Sequence, residues 1–374
     1  MIETLFPYLM AAAFALAFPL VTGYLVLVER KLLADFQARL GPMRVGPHGL
    51  LQPIADALKL VLKEDIVPKE ADKFLFYLAP MVSVGMGFAS FAVIPISGFL
   101  RVADVNVGIL LITAFAAVGV FGIILGGWAS NSNYALLGAM RGAAQLISYE
   151  VALGLALVST VMLSGTLSMV GIVEAQLAQR VWFAFGNYGL MLLSFFVFLI
   201  AAVAEINRAP FDLPEAESEI VAGYHTEYSG FRWALYMLAE YTNIFIICCV
   251  AVTMFFGGWL RPFPNYQWLA WPMETLFPLV LFGASAYGCW RMKLWPFVAL
   301  LGLTGLSFLI PVVASLASAP FWFFFKVSCV FYVLVWFRAS WPRLRYDQLM
   351  DLGWKRLIPL ALGCLLANAI VGMV

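Results

Sequence analysis

From Thr4 to Val28 the chain carries 25 consecutive residues without a charge. About 20 apolar residues in a helix cross the ~30 Å hydrocarbon core of a bilayer. This run is therefore long enough to span. It lacks the basic leading region of a signal peptide and exceeds the usual apolar length of one, so it is expected to be retained. The same pattern recurs along the chain. Of the 374 residues, 63% are hydrophobic and 11% charged, against about 25% charged in soluble domains. A soluble fold of this size could not bury so much apolar surface. The expected fold class is all-α, a polytopic transmembrane helical bundle forming one integral-membrane domain over 1–374.

Ten spans are predicted. They are Thr4–Val28, Phe74–Leu100, Val105–Trp128, Gly142–Val173, Val181–Ala204, Tyr241–Leu260, Thr275–Trp290, Leu294 to about Ser318, Phe321–Phe337 and Leu357–Val374. Eight or nine spans are the alternatives, because Thr275–Trp290 is short. With the N-terminus outside, the inner connections hold 18 of the 22 Lys and Arg residues. The outer ones hold Arg101, Arg180 and Arg261, and Lys326 falls within a span. That asymmetry fixes the expected orientation. Removing the seventh and eighth spans together preserves it, so they are expected to enter as a hairpin.

Two inner connections are unusual. In the first, Leu51, Ile54, Ala55, Leu58, Val61 and Leu62 follow helical spacing, with Gln52, Asp56, Lys59 and Lys63 opposite. This predicts an amphipathic helix over 49–65, too short and charged to span, lying along the membrane face. Asp56 and Lys59, three apart, could pair. The second, 205–240, holds seven of the 21 acidic residues: Glu205, Asp212, Glu215, Glu217, Glu219, Glu227 and Glu240. Pro210 and Pro214 break the helix that leads into it.

Ionisable groups at membrane depth are costly and are functional candidates. Glu150 is placed about two turns into the fourth span. Glu205 ends the fifth, Glu240 begins the sixth, and Lys326 lies just inside its own. Clustered, partly desolvated carboxylates cannot all stay ionised, so they share protons. Arg208 could pair with one of them.

Other chemistries find no support. Cys248, Cys249, Cys289, Cys329 and Cys364 show no metal or cluster spacing and read as small buried hydrophobes. His48 and His225 fall in polar connections, not inside spans where haem ligands would sit. The chain is expected to hold no metal, haem, flavin or other redox centre of its own. Its formal charge of +1 gives no sign of nucleic-acid binding. No nucleophile motif or phosphate loop occurs.

Four stretches resemble one family: Glu29–Pro47 (ERKLLADFQARLGPMRVGP), Leu50–Lys59 (LLQPIADALK), Ala204–Glu219 (AEINRAPFDLPEAESE) and Arg343–Met350 (RLRYDQLM). Gly127–Asn133, Ile147–Glu150 and Ala239–Tyr241 add to it. They look like the membrane subunit, called H or 1, that joins the peripheral and membrane arms of respiratory complex I, NADH:quinone oxidoreductase. The resemblance implies a bacterial plasma-membrane protein with a quinone, ubiquinone in the first instance, as substrate. It implies electrons arriving from soluble cluster-bearing and quinone-site subunits, with further membrane subunits alongside in the bilayer. By the same resemblance, Glu29, Arg30, Arg39, Asp56, Lys59, Arg208 and Asp212 surround the quinone chamber or its mouth. Glu150, Glu205, Glu215, Glu217, Glu219 and Glu240 link quinone reduction to proton translocation. Arg343 and Arg345 belong to the loop that meets the peripheral arm.

The family usually has eight or nine spans. The extra apolar length at 272–318 is therefore read as an inserted hairpin on a core of eight. A homologous subunit of a membrane-bound hydrogenase, or of a formate- or deazaflavin-linked complex, shares the ancestry; the full Glu29–Lys59 pattern favours the quinone branch. A stand-alone secondary transporter would suit the spans and buried carboxylates, but needs no interfacial helix beside a basic docking loop.

Overall fold

The computed structural model describes residues 2–215 and 221–373, with 2–10 and 373 described for their backbone alone. Among the described residues there is no β-strand. The helices are α1 (Ile2–Phe36), α2 (Gln52–Leu62), α3 (Lys73–Val93), α4 (Gly108–Ala129), α5 (Asn133–Ser164), α6 (Met169–Gln179) and α7 (Leu190–Glu205). They continue with α8 (Gly230–Phe255), α9 (Phe277–Arg291), α10 (Trp295–Ser307), α11 (Pro311–Ser340), α12 (Tyr346–Asp351) and α13 (Ile358–Met373). Nine helical stretches among these residues are long and apolar enough to cross a membrane.

The boundaries follow local chemistry. Asp72 caps α3 by accepting from the backbone N–H of Phe74 and Leu75 at 3.0 and 3.3 Å. Gly165, at φ +67°, ends α5 in the left-handed conformation that glycine tolerates best. Ser168 then caps the short α6. The expected fourth span, Gly142–Val173, is therefore divided: α5 begins nine residues earlier and stops at Ser164.

The expected span from Leu294 to about Ser318 is corrected too. Its first part is α10, 13 residues long and hence about 20 Å at 1.5 Å per residue, too short to cross. The rest joins the expected ninth span in the single 30-residue α11. α9 and α10 pack together, and Phe308 at the end of α10 stacks at 5.9 Å on Phe282 of α9.

α8 is the axis of the bundle. It contacts α1, α3 and α11, and its side chains from Ile244 to Phe255 are buried. It begins at Gly230, so Glu240 lies in its third turn and does not open it. Arg232, in the first turn, is accommodated because Asp65 pairs with it at 3.1 Å and Tyr77 lies under its guanidinium at 3.8 Å.

Contacts gather the connections at two ends. At one end, Ile66 N–H donates to Ser229 Oγ, Asp72 N–H to Ala129 O and Leu344 N–H to Pro210 O. His48 Nε2 lies 3.2 Å from Met292 O, which brings the α9–α10 turn to this same end. At the other, Ile109 N–H donates to Leu167 O, and Lys326 Nζ to Phe256 O and Leu260 O.

Candidate functional site

The acidic residues converge where α5, α7 and α8 meet the 206–229 connection. A buried glutamine organises the meeting. Gln145 Nε2 on α5 lies 2.7 Å from Ala204 O, 2.8 Å from Phe211 O and 3.2 Å from Asn207 Oδ1. One of the two carbonyls lies in the last turn of α7 and the other in the connection beyond it, so Gln145 fixes the chain as it leaves α7. Gly223, at φ +61°, permits a second close approach: a Cβ there would sit 1.6 Å from Pro214 O. That turn delivers Tyr224.

Glu240 is the hub. Its Oε2 lies 3.1 Å from Arg208 Nη2, and Tyr224 OH donates to its Oε1 at 3.1 Å. Glu215 acts on Glu240 electrostatically. Arg208 lies over the Tyr241 ring at 4.9 Å, and Glu29 acts on Tyr241 electrostatically. Burial opposes the charge on Arg208, but Glu240, Tyr241, Glu29 and Glu215 together raise its proton affinity above the ordinary arginine value. Burial, then Glu240 and Glu215, pushes the Tyr224 phenol well above its usual range, so it remains a donor.

Arg208 lines one of two cavities here, and its partner Glu240 lines the other. The larger, about 90 Å³, is lined by Glu150, Glu205, Asn207, Tyr224, Tyr236, Glu240 and apolar side chains. It has room for several waters. Glu150 and Glu205 are electrostatically coupled across it. Among the described residues, Glu205 Oε2 has no hydrogen-bond partner. The smaller, about 20 Å³, is lined by Glu29, Arg208, Arg338 and apolar residues of α7, α8, α11 and the connection after α7. Glu29 is buried and hydrogen-bonded to Arg338.

The predicted chamber residues do not form a single group. Glu29 and Arg208 stand at the small cavity. Asp56 pairs with Arg30 at 3.0 Å and accepts from Gln52 at 2.8 Å, so it does not take the expected partner Lys59, which is exposed. Arg39 is exposed and donates to Gln37. The apolar stripe of α2 points outward: Leu51, Ile54, Leu58, Val61 and Leu62 are all exposed.

Asp212 is bound to the loop after α11. Arg343 Nε donates to Asp212 O at 2.9 Å, and Arg343 Nη2 lies 3.5 Å from Asp212 Oδ2. Burial and Glu215 outweigh Arg343, Arg208 and Arg338 and push the Asp212 carboxyl up to about 6. Arg345 is exposed beside it in sequence. Glu150, Glu205, Glu215 and Glu240 are brought together as described. Glu217 and Glu219 lie outside the described residues.

Sequence reasoning missed Gln145, Tyr224, Tyr236 and the pairing role of Arg338. The last was visible only as one more basic residue. The polar Gln145 inside an otherwise apolar run was a usable signal. Among the described residues, no group of three or more His, Cys, Asp or Glu side chains could hold a metal ion.

The family described as NADH dehydrogenase matches residues 9–369. An H-type NADH-quinone oxidoreductase subunit of Solibacter usitatus, the second of that type in the organism, is 57% identical, covering 98% of this chain and 96% of the relative. The chain belongs to the H-type membrane-subunit family of NADH-quinone oxidoreductases. It is a multi-pass membrane protein. Other H-type relatives include one from Koribacter versatilis, 50% identical over 92% of this chain and 87% of its own length. The H-type subunit of Rickettsia felis is 43% identical over 96% and 93%. The family match runs through every residue of both cavities, since all lie within 9–369.

Proposed function

We propose that this chain is the membrane subunit of a proton-translocating NADH:quinone oxidoreductase that walls the quinone chamber and ties quinone reduction to proton movement. The carrying observation is the position of Arg208. It lines the small cavity with Glu29 and Arg338, and it pairs with Glu240, which lines the larger cavity with Glu150 and Glu205.

Reduction of a quinone to a quinol takes up electrons and protons in equal number. The electrons come from a cluster-bearing partner subunit, and the protons must be delivered through protein. A charge change near Glu29 and Arg338 is felt by Arg208. At about 4 Å and an effective dielectric of about 20, one unit charge shifts another by about 4 kcal/mol. That is enough to change which carboxylate in the Glu240, Glu215, Glu205 and Glu150 group holds a proton. Tyr224 holds one lobe of Glu240 and leaves the other to Arg208, so the carboxylate can respond without losing its place.

Arg30, Asp56 and Lys59 would edge the mouth, with the outward stripe of α2 lying in the membrane face. Arg39 is placed at the mouth by resemblance alone. Arg343 and Arg345 would meet the peripheral subunits, with Asp212 holding Arg343 in place. The end that carries these loops would face the cytoplasm of a bacterium, with the N-terminus outside. Ubiquinone is the proposed substrate.

The test is Glu205→Gln in the intact complex. Assembly should be normal, while quinone reduction or proton pumping falls. Fully coupled turnover in that variant would remove Glu205 from the role.

A further inference from the structure

The end of the bundle remote from the acidic residues holds a third cavity, of about 230 Å³. Leu177 of α6 lines it with Trp259, Leu260, Arg261 and Pro264 from the connection after α8, Glu274 from the approach to α9, and Ser318 and Trp322 from α11. Lys326, one helical turn beyond Trp322 on α11, donates to Phe256 O at 2.7 Å and Leu260 O at 2.8 Å. It thereby pins the turn that presents Arg261.

Three polar groups meet there. Arg261 Nε lies 3.7 Å from Glu274 Oε1, longer than a hydrogen bond. Among the described residues, the buried Nη1 of Arg261 and the buried Nε1 of Trp322 have no hydrogen-bond acceptor. Trp322 itself is only 2% exposed. Buried donors of this kind cost free energy unless something accepts from them. Both belong to residues that line the same cavity, and an anionic oxygen there would serve both. Glu274 adds a carboxylate with an incompletely matched charge. The cavity thus offers two donors for an anion and one acceptor for a cation. Nearby, Trp268 and Trp271 are exposed, the signature of a membrane–water interface.

We propose that this cavity binds the phosphoethanolamine headgroup of a membrane phospholipid. The phosphodiester would accept from Arg261 and Trp322, and the ammonium would face Glu274. One cation and one anion on the protein meet one of each on the ligand. A phosphoglycerol headgroup would offer the same phosphodiester but only neutral hydroxyls, so Glu274 would gain no counter-charge. The cavity has the size of a headgroup, so the acyl chains would run outside along the bundle. The site would make the extra segment a lipid clamp at one end of α8.

The protein, isolated from its membrane with the subunits that accompany it, is placed in nanodiscs of equal phosphatidylethanolamine and phosphatidylglycerol. Retained lipid is then read by native mass spectrometry. The wild type should keep phosphatidylethanolamine selectively. Arg261→Gln should lower retention about tenfold or more, the worth of a charge-assisted hydrogen bond. Trp322→Phe, which keeps the ring and removes the donor, should lower it less. Glu274→Gln should erase the preference over phosphatidylglycerol. Equal retention in the wild type, Arg261→Gln and Trp322→Phe would overturn the site. Equal retention of the two lipids by the wild type would overturn the zwitterionic assignment. Displacement by free phosphorylethanolamine at matching concentration would overturn the membrane as the source.

Discussion

Arg208 Nη2 and Glu240 Oε2 are 3.1 Å apart, with both side chains largely withdrawn from solvent at 14% and 10% exposure. Removing one member of a buried pair leaves the other uncompensated, at a cost of about 3–5 kcal/mol. Arg208→Gln should therefore weaken assembly and thermal stability sharply. Adding Glu240→Gln should restore most of the stability while leaving quinone reduction impaired. Native gels and thermal melts of the single and double variants check the first part, and turnover checks the second.

The exposed pair should behave differently. Arg30 and Asp56, 3.0 Å apart, retain 51% and 36% of their side-chain exposure. Ion pairs in this setting contribute about 0–1 kcal/mol. Asp56→Asn should leave the melting temperature nearly unchanged. If Asp56 edges the chamber mouth, the apparent KM for quinone should rise in the same preparation.

Asp212 predicts a pH dependence with a definite sign. Its carboxyl is raised from 3.8 to about 6 in the folded protein, so the fold favours the protonated form. The stabilisation from this group is complete below about pH 4 and is lost as pH rises through 6. Hydrogen exchange in 206–215 should therefore quicken between pH 4 and 7. In Asp212→Asn that acceleration should be flatter than in the wild type.

Gln145 bonds to two backbone carbonyls and one side-chain oxygen. Gln145→Leu would remove a buried donor amide, while Ala204 O and Phe211 O would keep the backbone N–H of Asn207 and Leu213, so the loss is about 1–3 kcal/mol in all. A clear fall in melting temperature should result, along with faster exchange around 204–211. Gly223→Ala should act on the same region by a different route, since its Cβ would overlap Pro214 O. That change should move Tyr224 off Glu240 and lower turnover more than it lowers expression.

Much of the membrane organisation was legible because apolar length and the absence of charge are properties of contiguous sequence. The first three spans, α1, α3 and α4, and the amphipathic stripe of 51–62 needed no knowledge of partners. The misplacements have a common cause. A hydropathy reading starts a span after its last charge, so it set the sixth at Tyr241. The helix begins at Gly230 because Arg232 and Glu240 are paired with Asp65 and Arg208, residues distant in sequence. Likewise, spacing offered Lys59 to Asp56, whereas the fold supplied Arg30. The carboxylates of the site could be named from composition and resemblance. Their order, with Arg208 at one cavity paired to Glu240 at the other and Tyr224 bonded to Glu240, depends on turns made at Gly223 and behind Gln145, which no periodicity encodes.

The lysine that holds the end of α8 also limits how that helix can move. α8 is a rod of 26 residues, about 39 Å at 1.5 Å per residue. Glu240 is seated on it toward one end, and the carbonyls of Phe256 and Leu260 are anchored by Lys326 just beyond the other. Sliding along its axis would rupture two short bonds from a buried ammonium. Swinging about that anchor would keep them. The lever available to Glu240 is therefore a pivot with a fixed far fulcrum, not a piston.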